Sequence, residues 1–548
     1  MHAMNQPAEM PSPMFQLLSV AGEMYPFVKT GGLGDVVGSL PPALVSQGVE
    51  TRTVLPGYPA VLRALSSRIG AVKIGNIMGH EVTVLEGHAH GAHLYVVDVP
   101  ALYQRPGNPY LGPDGQPWGD NGIRYALFCR VAALIAAGLF PDWKPEAVMT
   151  HDWHAGLVAT YLRYMEEQTP QVAHVIHNLA FQGLFPRDMM GVFELPEHAF
   201  QCGDIEYYGQ IGFMKAALQT ADRLISVSPT YAEEIQTPEE GMGLDGVLRS
   251  RSNVLTGILN GVDLQDWNPL TDPSVFFPYA VGDIVGRRAN KRVFQAEFGL
   301  PQDPDAFLLG MVSRLTTQKG ADLLATLAPR LFDQNIQLAV VGTGDEGIMQ
   351  AFAALQSRYP KNVICHLRYS ETLGHRLHSA VDASLIPSRF EPCGLTQFHA
   401  LRYGSIPIAA RVGGLSDTIV DANSAAVSEG VANGILFSPT TEDMLMLAIR
   451  RGLNLFRQKA VWARMQRNGA LHDVSWDGKA AQYARLLLEM TGRPPMALEL
   501  ENSIAPRRGD PVSAQPRSGR QVARMPRGRN GEQASTMIHA FPRTGTHA

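Results

Sequence analysis

From Phe15 onward, short apolar runs close in polar or glycine-containing turns and are followed by stretches with helical spacing. Phe15–Ala21 is such a run, ended by Gly22, and predicts a buried strand. Asp35–Gln47 places Val36, Val37, Leu40, Ala43 and Leu44 on one helical stripe, with Pro41 and Pro42 predicting a kink or a late start. Glu50–Leu55, Val82–Leu85 and Leu94–Val99 predict further strands, and Tyr125–Leu139, interrupted by Arg130, predicts a buried helix. Ala147–Thr150 leads into His151–His154, Val172–Ile176 into His177 and Asn178, and Arg223–Val227 into Ser228 and Pro229. This alternation is the βα rhythm of a parallel sheet.

The rhythm pauses at Asn260–Pro278, rich in Asn, Asp and Pro, which reads as a connector. It resumes at Phe307–Ser313, Gln337–Val341, Ala383–Pro387 and Ile406–Ala410. The expectation is an α/β chain of two doubly wound, Rossmann-like domains, residues 14–262 and 263–494, facing a cleft. Residues 1–13 are expected to be a flexible extension and 495–548 a disordered arginine-rich tail. In doubly wound sheets ligands sit beyond the carboxyl ends of the strands, where all these polar turns fall.

Composition narrows the function. Apolar residues make up 45%, enough for sizeable cores, and the formal charge is −5. The segment from Ser503 holds eight arginines against Asp510 and Glu532, a net +6 that leaves −11 for residues 1–502. An acidic body disfavours nucleic acid as a partner. Four scattered cysteines with no C-x-x-C pair argue against a disulfide scaffold or a zinc knuckle. No run of 18 apolar residues and no apolar core in residues 1–13 predict neither a membrane span nor a signal peptide, and a cytoplasmic setting.

Five turns carry candidate chemistry. Lys29-Thr30-Gly31-Gly32-Leu33-Gly34-Asp35 lies between a strand and a helix, where glycines admit a close ligand and a helix start favours anions. It is neither a P-loop nor a dinucleotide fingerprint, and a plain βα turn is the competing reading. His151-Asp152-Trp153-His154 could set two histidines on one helical face, yet no third ligand completes a metal site; a sugar-lining role suits Asp152 and Trp153 better. His177-Asn178 alone weighs little. Arg314 and Lys319, five residues apart after a strand, could meet a diphosphate or simply form a solvated basic loop. In Ser388–Thr396, Pro392 suits a first helical turn, the amides of Gly394–Thr396 would face an anion, and Glu391 could accept from sugar hydroxyls. Cys393 at a helix start could be reactive, but a packing role is the better reading.

These motifs, with Asn260-Gly261-Val262-Asp263 and His177–Gly183, resemble those of bacterial glycogen synthases and plant starch synthases, in order and approximate spacing, from about Phe15 to Leu488. One departure is Gly34, where the family usually has Ala. The resemblance implies a GT-B fold and retaining transfer of glucose from ADP-glucose to the 4-hydroxyl of an α-1,4-glucan, with no cofactor and no metal. It implies that Arg314 and Lys319 neutralise the diphosphate, that Glu391 holds glucose hydroxyls, and that His177 and Asp152 lie near the reacting carbon. Lys29, Gly32, Asp35, Asn260, Cys393, Gly394, Leu395 and Thr396 would complete the donor side, Tyr369 would stack on adenine, and Trp153 would line the acceptor channel. The position eight residues after Glu391 is His399, so a two-glutamate pattern of broader retaining enzymes does not apply. A UDP-glucose-dependent transferase, an α-glucan phosphorylase and a non-catalytic glucan-binding homologue are the alternatives. A phosphorylase would need a Schiff-base lysine motif, and none stands out.

Overall fold

The computed structural model describes residues 14–494 except Ser66, Glu167 and Tyr369. The readings of 1–13, of 495–548 and of Tyr369 therefore lie outside the described residues.

Nine strands form the first sheet, in the spatial order Leu255–Gly257, Arg223–Ser226, Gln171–Ile176, Ala147–His151, Phe15–Val20, Val49–Pro56, Ala92–Asp98, His80–Ala89 and Ser67–Ile77. The central strands are parallel and nearly continuous in apolar residues, because helices cover both faces of the sheet. One edge departs from the expected βα rhythm: Ser67–Ile77, His80–Ala89 and Ala92–Asp98 make an antiparallel meander. The turns Met78-Gly79 and His90-Gly91 both take positive φ at both residues, and such tight connections join only antiparallel neighbours. A small antiparallel sheet of Leu184–Pro186, Gln210–Gly212 and Glu206–Tyr207 stands beside the first.

The helix Gly32–Val45 begins earlier than expected and runs through both prolines. Pro42 is exposed, and Pro41 is half-buried at the margin of the core, beside Leu17 and Leu40. The apolar face buries Val36, Leu40 and Leu44 in one cluster with Tyr483 and Leu487 of the last helix, Asp477–Thr491. That packing offsets the ~3 kcal/mol that a proline inside a helix can cost. Asn121–Ala137 is buried on nearly every face and stops at Gly138, whose φ of 114° suits glycine.

The second sheet is wholly parallel, in the order Val363–His366, Ile336–Val341, Phe307–Val312, Ala383–Ile386, Ile406–Ala410 and Ile435–Phe437. Residues 258–306 connect the two sheets, without helix or strand as far as residue 283 and then through the helix Ile284–Glu297. The chain returns at its end: Val262 N–H donates to Val474 C=O at 2.9 Å, and Trp476 Nε1 donates to Ser39 Oγ at 2.8 Å. Across the lobes, Ser228 Oγ donates to Pro392 C=O at 2.6 Å, and Thr230 donates to Asp417 through both its amide and its hydroxyl. Among the described residues, no helix is long and apolar enough to cross a membrane.

Candidate active site

The chemistry-bearing turns of the first lobe lie just past its central strands. Asp152 follows the strand Ala147–His151 with φ 54° and ψ −172°, a conformation seldom taken by anything but glycine. Its Oδ1 accepts from the amides of His177 (2.7 Å) and Asn178 (3.2 Å), so the carboxylate braces the next loop. Burial pushes this carboxyl up to about 8 against the pull of the two amides. His177 is partly exposed. Its Nε2 lies 2.9 Å from His151 Nδ1, and burial, then the neighbouring histidines, holds its pKa well below the usual value. His151 and His154 do not share a helical face as the spacing had allowed: His151 ends a strand and His154 lies in a single 3₁₀ turn, stacked on Tyr110. Among the described residues no group of three His, Cys, Asp or Glu side chains is placed to hold a metal. Trp153 sits in an aromatic nest, edge-on to Tyr125 at 4.9 Å, and a Cβ on Gly183 would come within 2.4 Å of its ring. Most of the indole is therefore committed to packing.

Two groups here escaped sequence reading. Glu23 is buried; it accepts from the amide and hydroxyl of Thr30 and, at 3.1 Å, from Tyr110 Oη. Burial pushes it up to about 7. An acidic residue three positions past an apolar strand is a usable signal for Glu23. Tyr110 lies in a Pro/Gly-rich loop that offers none. Lys29 Nζ pairs with Asp35 at 2.8 Å and reaches Glu371 of the second lobe at 3.7 Å.

The second lobe presents ion pairs. Lys319 Nζ donates to both oxygens of Glu391, at 2.8 and 2.6 Å, and Ser388 Oγ donates to the same carboxylate at 2.9 Å. Arg389 forks onto Asp322 with two 2.8 Å bonds, tying this loop to the one after Phe307–Val312. Gly320 permits that approach: a Cβ there would meet Pro387 C=O at 2.0 Å. Arg314 is exposed, its guanidinium 6.0 Å from the Phe181 ring of the first lobe. The helix expected to start at Pro392 starts only at Thr396, because Gly394 adopts φ 75° and Leu395 forms its cap. Gly394 and Leu395 are thus part of a turn that precedes the helix. Cys393 is buried among apolar residues of both lobes and takes a hydrogen bond from the Asn260 amide; burial raises its thiol to about 12, which removes the reactive reading. Asn260 is buried with its Oδ1 unmatched in the protein. A Cβ on Gly32 would lie 3.2 Å from Leu395, so the first and fifth motifs abut across the lobes. His399 is half-buried and stacked on Trp267 at 3.3 Å.

Residues 16–250 match the starch synthase catalytic domain and residues 294–468 match glycosyl transferases group 1. With two Rossmann-like lobes and cations gathered at the strand ends, the protein is a glycosyltransferase of the GT-B class. A glycogen synthase from Rhodopseudomonas palustris (strain BisB18) is 48% identical over 469 residues, covering 86% of this chain and 96% of that protein. One from Methylocella silvestris is 47% identical over 475 residues, covering 86% and 98%. Among solved structures, the catalytic domain of starch synthase IV from Arabidopsis thaliana, bound to ADP and acarbose, superposes with a TM-score of 0.79 at 28% identity, covering 88% of this chain and 100% of that one. Sucrose-phosphate synthase from Thermosynechococcus elongatus shares the fold alone, with a TM-score of 0.53 at 18% identity. The chain belongs to the glycogen synthase family.

Proposed function

We propose that this glycosyltransferase moves glucose from ADP-glucose to the 4-hydroxyl at the non-reducing end of an α-1,4-glucan, with retention of configuration. The observation that carries the residue assignment is Lys319 chelated by Glu391 at the carboxyl edge of the second sheet, a preformed cation–carboxylate pair in a partly buried site. The solved relative with ADP and acarbose supports the nucleotide and saccharide classes. Residues 263–494 form the donor side and residues 14–262 the acceptor side. Lys319 and Arg314 neutralise the diphosphate as it leaves, and Lys29 adds a cation from the facing lobe. Gly32, Asp35, Asn260 and the turn of Cys393, Gly394, Leu395 and Thr396 shape the donor pocket. Glu391 holds glucose hydroxyls, His177 meets the sugar from the other side, and Trp153 borders the acceptor path. The four free cysteines fit a reducing cytoplasm as the setting.

Asp152 supports retention without a covalent intermediate. One of its oxygens is committed to two amides, and its carboxyl is held largely protonated near neutral pH, so it is a poor nucleophile. The acceptor oxygen attacks the anomeric carbon from the face the diphosphate leaves. The anomeric carbon–oxygen bond breaks, and the acceptor proton passes to a leaving phosphate oxygen. A donor panel with glycogen as acceptor tests the reading through released nucleoside diphosphate. ADP-glucose should exceed UDP-glucose by at least an order of magnitude, and equal or greater release from UDP-glucose would overturn the donor assignment. A glucosyl adduct trapped on Asp152 or Glu391 in the unmodified enzyme would overturn the front-face step.

A further inference from the structure

Three neighbouring strands of the first sheet, Gln171–Ile176, Ala147–His151 and Phe15–Val20, deliver three polar side chains in a row. His177 stands one residue past the first, His151 ends the second, and Ser19 lies near the end of the third. His177 Nε2 is 2.9 Å from His151 Nδ1, and His151 Nε2 is 3.3 Å from Ser19 Oγ. Ser19 and His151 are almost wholly buried, while His177 is partly exposed. Neither Ser19 nor His151 was singled out as a functional group from the sequence.

We propose that Ser19 and His151 are positioning residues for His177: a lateral relay that fixes its ring, its tautomer and the nitrogen it turns to the sugar. With Nε2 occupied by His151, the nitrogen left for substrate is Nδ1. The direction of the relay follows from counting protons. Both rings stay neutral at pH 7, since burial lowers His151 to about 3 and, with the neighbouring histidines, holds His177 well below the usual imidazole value. One proton therefore lies between them. Among the described residues the Ser19 hydroxyl has one hydrogen-bond partner, the His151 ring. The adjoining cavity, about 10 Å³, is at the lower limit for one water; besides Ser19 and His151 its one polar lining side chain is Thr51, whose hydroxyl makes no bond to Ser19, and the rest is apolar, Leu17, Val36, Leu40 and Met149 among it. A buried hydroxyl proton without an acceptor is costly, so Ser19 donates to His151 Nε2. His151 then carries its proton on Nδ1 and donates to His177 Nε2. His177 in turn carries its proton on Nδ1 and offers the cleft a donor, suited to a sugar hydroxyl oxygen. The opposite direction would give the cleft an acceptor and strand the serine proton.

This inference rests on the reading that His177 meets the donor sugar, and the experiment separates the two. Four variants are assayed with ADP-glucose and glycogen: His151→Leu, His151→Asn, His177→Ala and the double His151→Leu/His177→Ala. His151→Leu should lower kcat by about tenfold or more with a smaller change in the donor KM, as expected for a mispositioned group. His151→Asn keeps a donor at the Nδ1 position and should restore most of that loss. On a His177→Ala background the leucine change should add less than about threefold, because its effect runs through the missing ring. Selective ¹⁵N-histidine NMR of the unmodified enzyme should find His177 protonated on Nδ1, and Ser19→Ala should shift that population toward Nε2. Full kcat in His151→Leu, additive losses in the double variant, or an Nε2-protonated His177 would each overturn the relay. Should His151→Leu fail to fold, the NMR result and Ser19→Ala decide alone. A near-normal rate in His177→Ala would overturn the sugar-contact reading instead, leaving the NMR measurement to decide the relay.

Discussion

Lys29–Asp35 apart, the two lobes meet the cleft with opposite kinds of chemistry. On the first lobe, Asp152, His151, His177 and Glu23 are desolvated and held to each other or to amides, with burial pushing each toward its neutral form. On the second, Lys319–Glu391 and Arg389–Asp322 are ion pairs, and Arg314 is exposed. Neutral, fixed hydrogen-bonding groups suit a sugar, whose hydroxyls carry no charge and whose orientation must be set. Paired charges suit a diphosphate, because a cation parked on a carboxylate can be redistributed when the anion arrives. Binding the anion and orienting the sugar are therefore separable, and substitutions on the two sides should fail differently.

The largest effect is expected at the ion pair. Lys319→Ala or Glu391→Ala should lower kcat/KM by about a thousandfold, because each removes a charge-bearing contact and strands its half-buried partner. Thermal melts should stay within a few degrees of the parent, and near-normal rates in either variant would remove the pair from the site. Asp152 sharpens the first-lobe half. Asn at this position can still accept both amides and tolerates positive φ, so Asp152→Asn should cost no more than about tenfold, whereas Asp152→Ala should cost about a hundredfold. Equal, near-complete losses in both would make the carboxylate itself a reacting group.

The smallest effect concerns stability. His174 is fully buried, bonded through Nδ1 to Thr150 Oγ1 at 2.9 Å, and lowered by burial to about 3. The unfolded chain takes up a proton there below about pH 6.5 and the folded protein does not. The stability from this residue is thus complete above pH 6.5 and is lost progressively as pH falls toward 3. Urea unfolding should show the parent losing about 2 kcal/mol more than His174→Asn between pH 7 and pH 5. Equal losses would mean the pocket is wetter than its packing implies.

Much of this was legible in the sequence. The parallel strands announced themselves as apolar runs closed by polar turns, since a strand covered on both faces needs little else. Lys319 and Glu391 could be picked out as charged residues in turns that follow strands, with a solvated basic loop as the competing reading; their bond to each other comes only with the fold. What escaped reading was set by tertiary context. Gly394 in a left-handed conformation delays a helix that Pro392 seemed to start. The helix from Gly32 tolerates Pro41 and Pro42 because its apolar face packs on a helix more than 430 residues later. The pairing of His151 with His177 joins two strands 26 residues apart, and no local pattern predicts it.

The separation of tasks between the lobes is tested most directly by titrating ADP into three proteins by calorimetry: the parent, Lys319→Ala and His177→Ala. The account predicts that Lys319→Ala weakens ADP binding by about tenfold or more. It predicts that His177→Ala binds ADP within about threefold of the parent while its turnover with ADP-glucose and glycogen collapses. ADP affinity falling equally in both variants, or falling in His177→Ala alone, would contradict it.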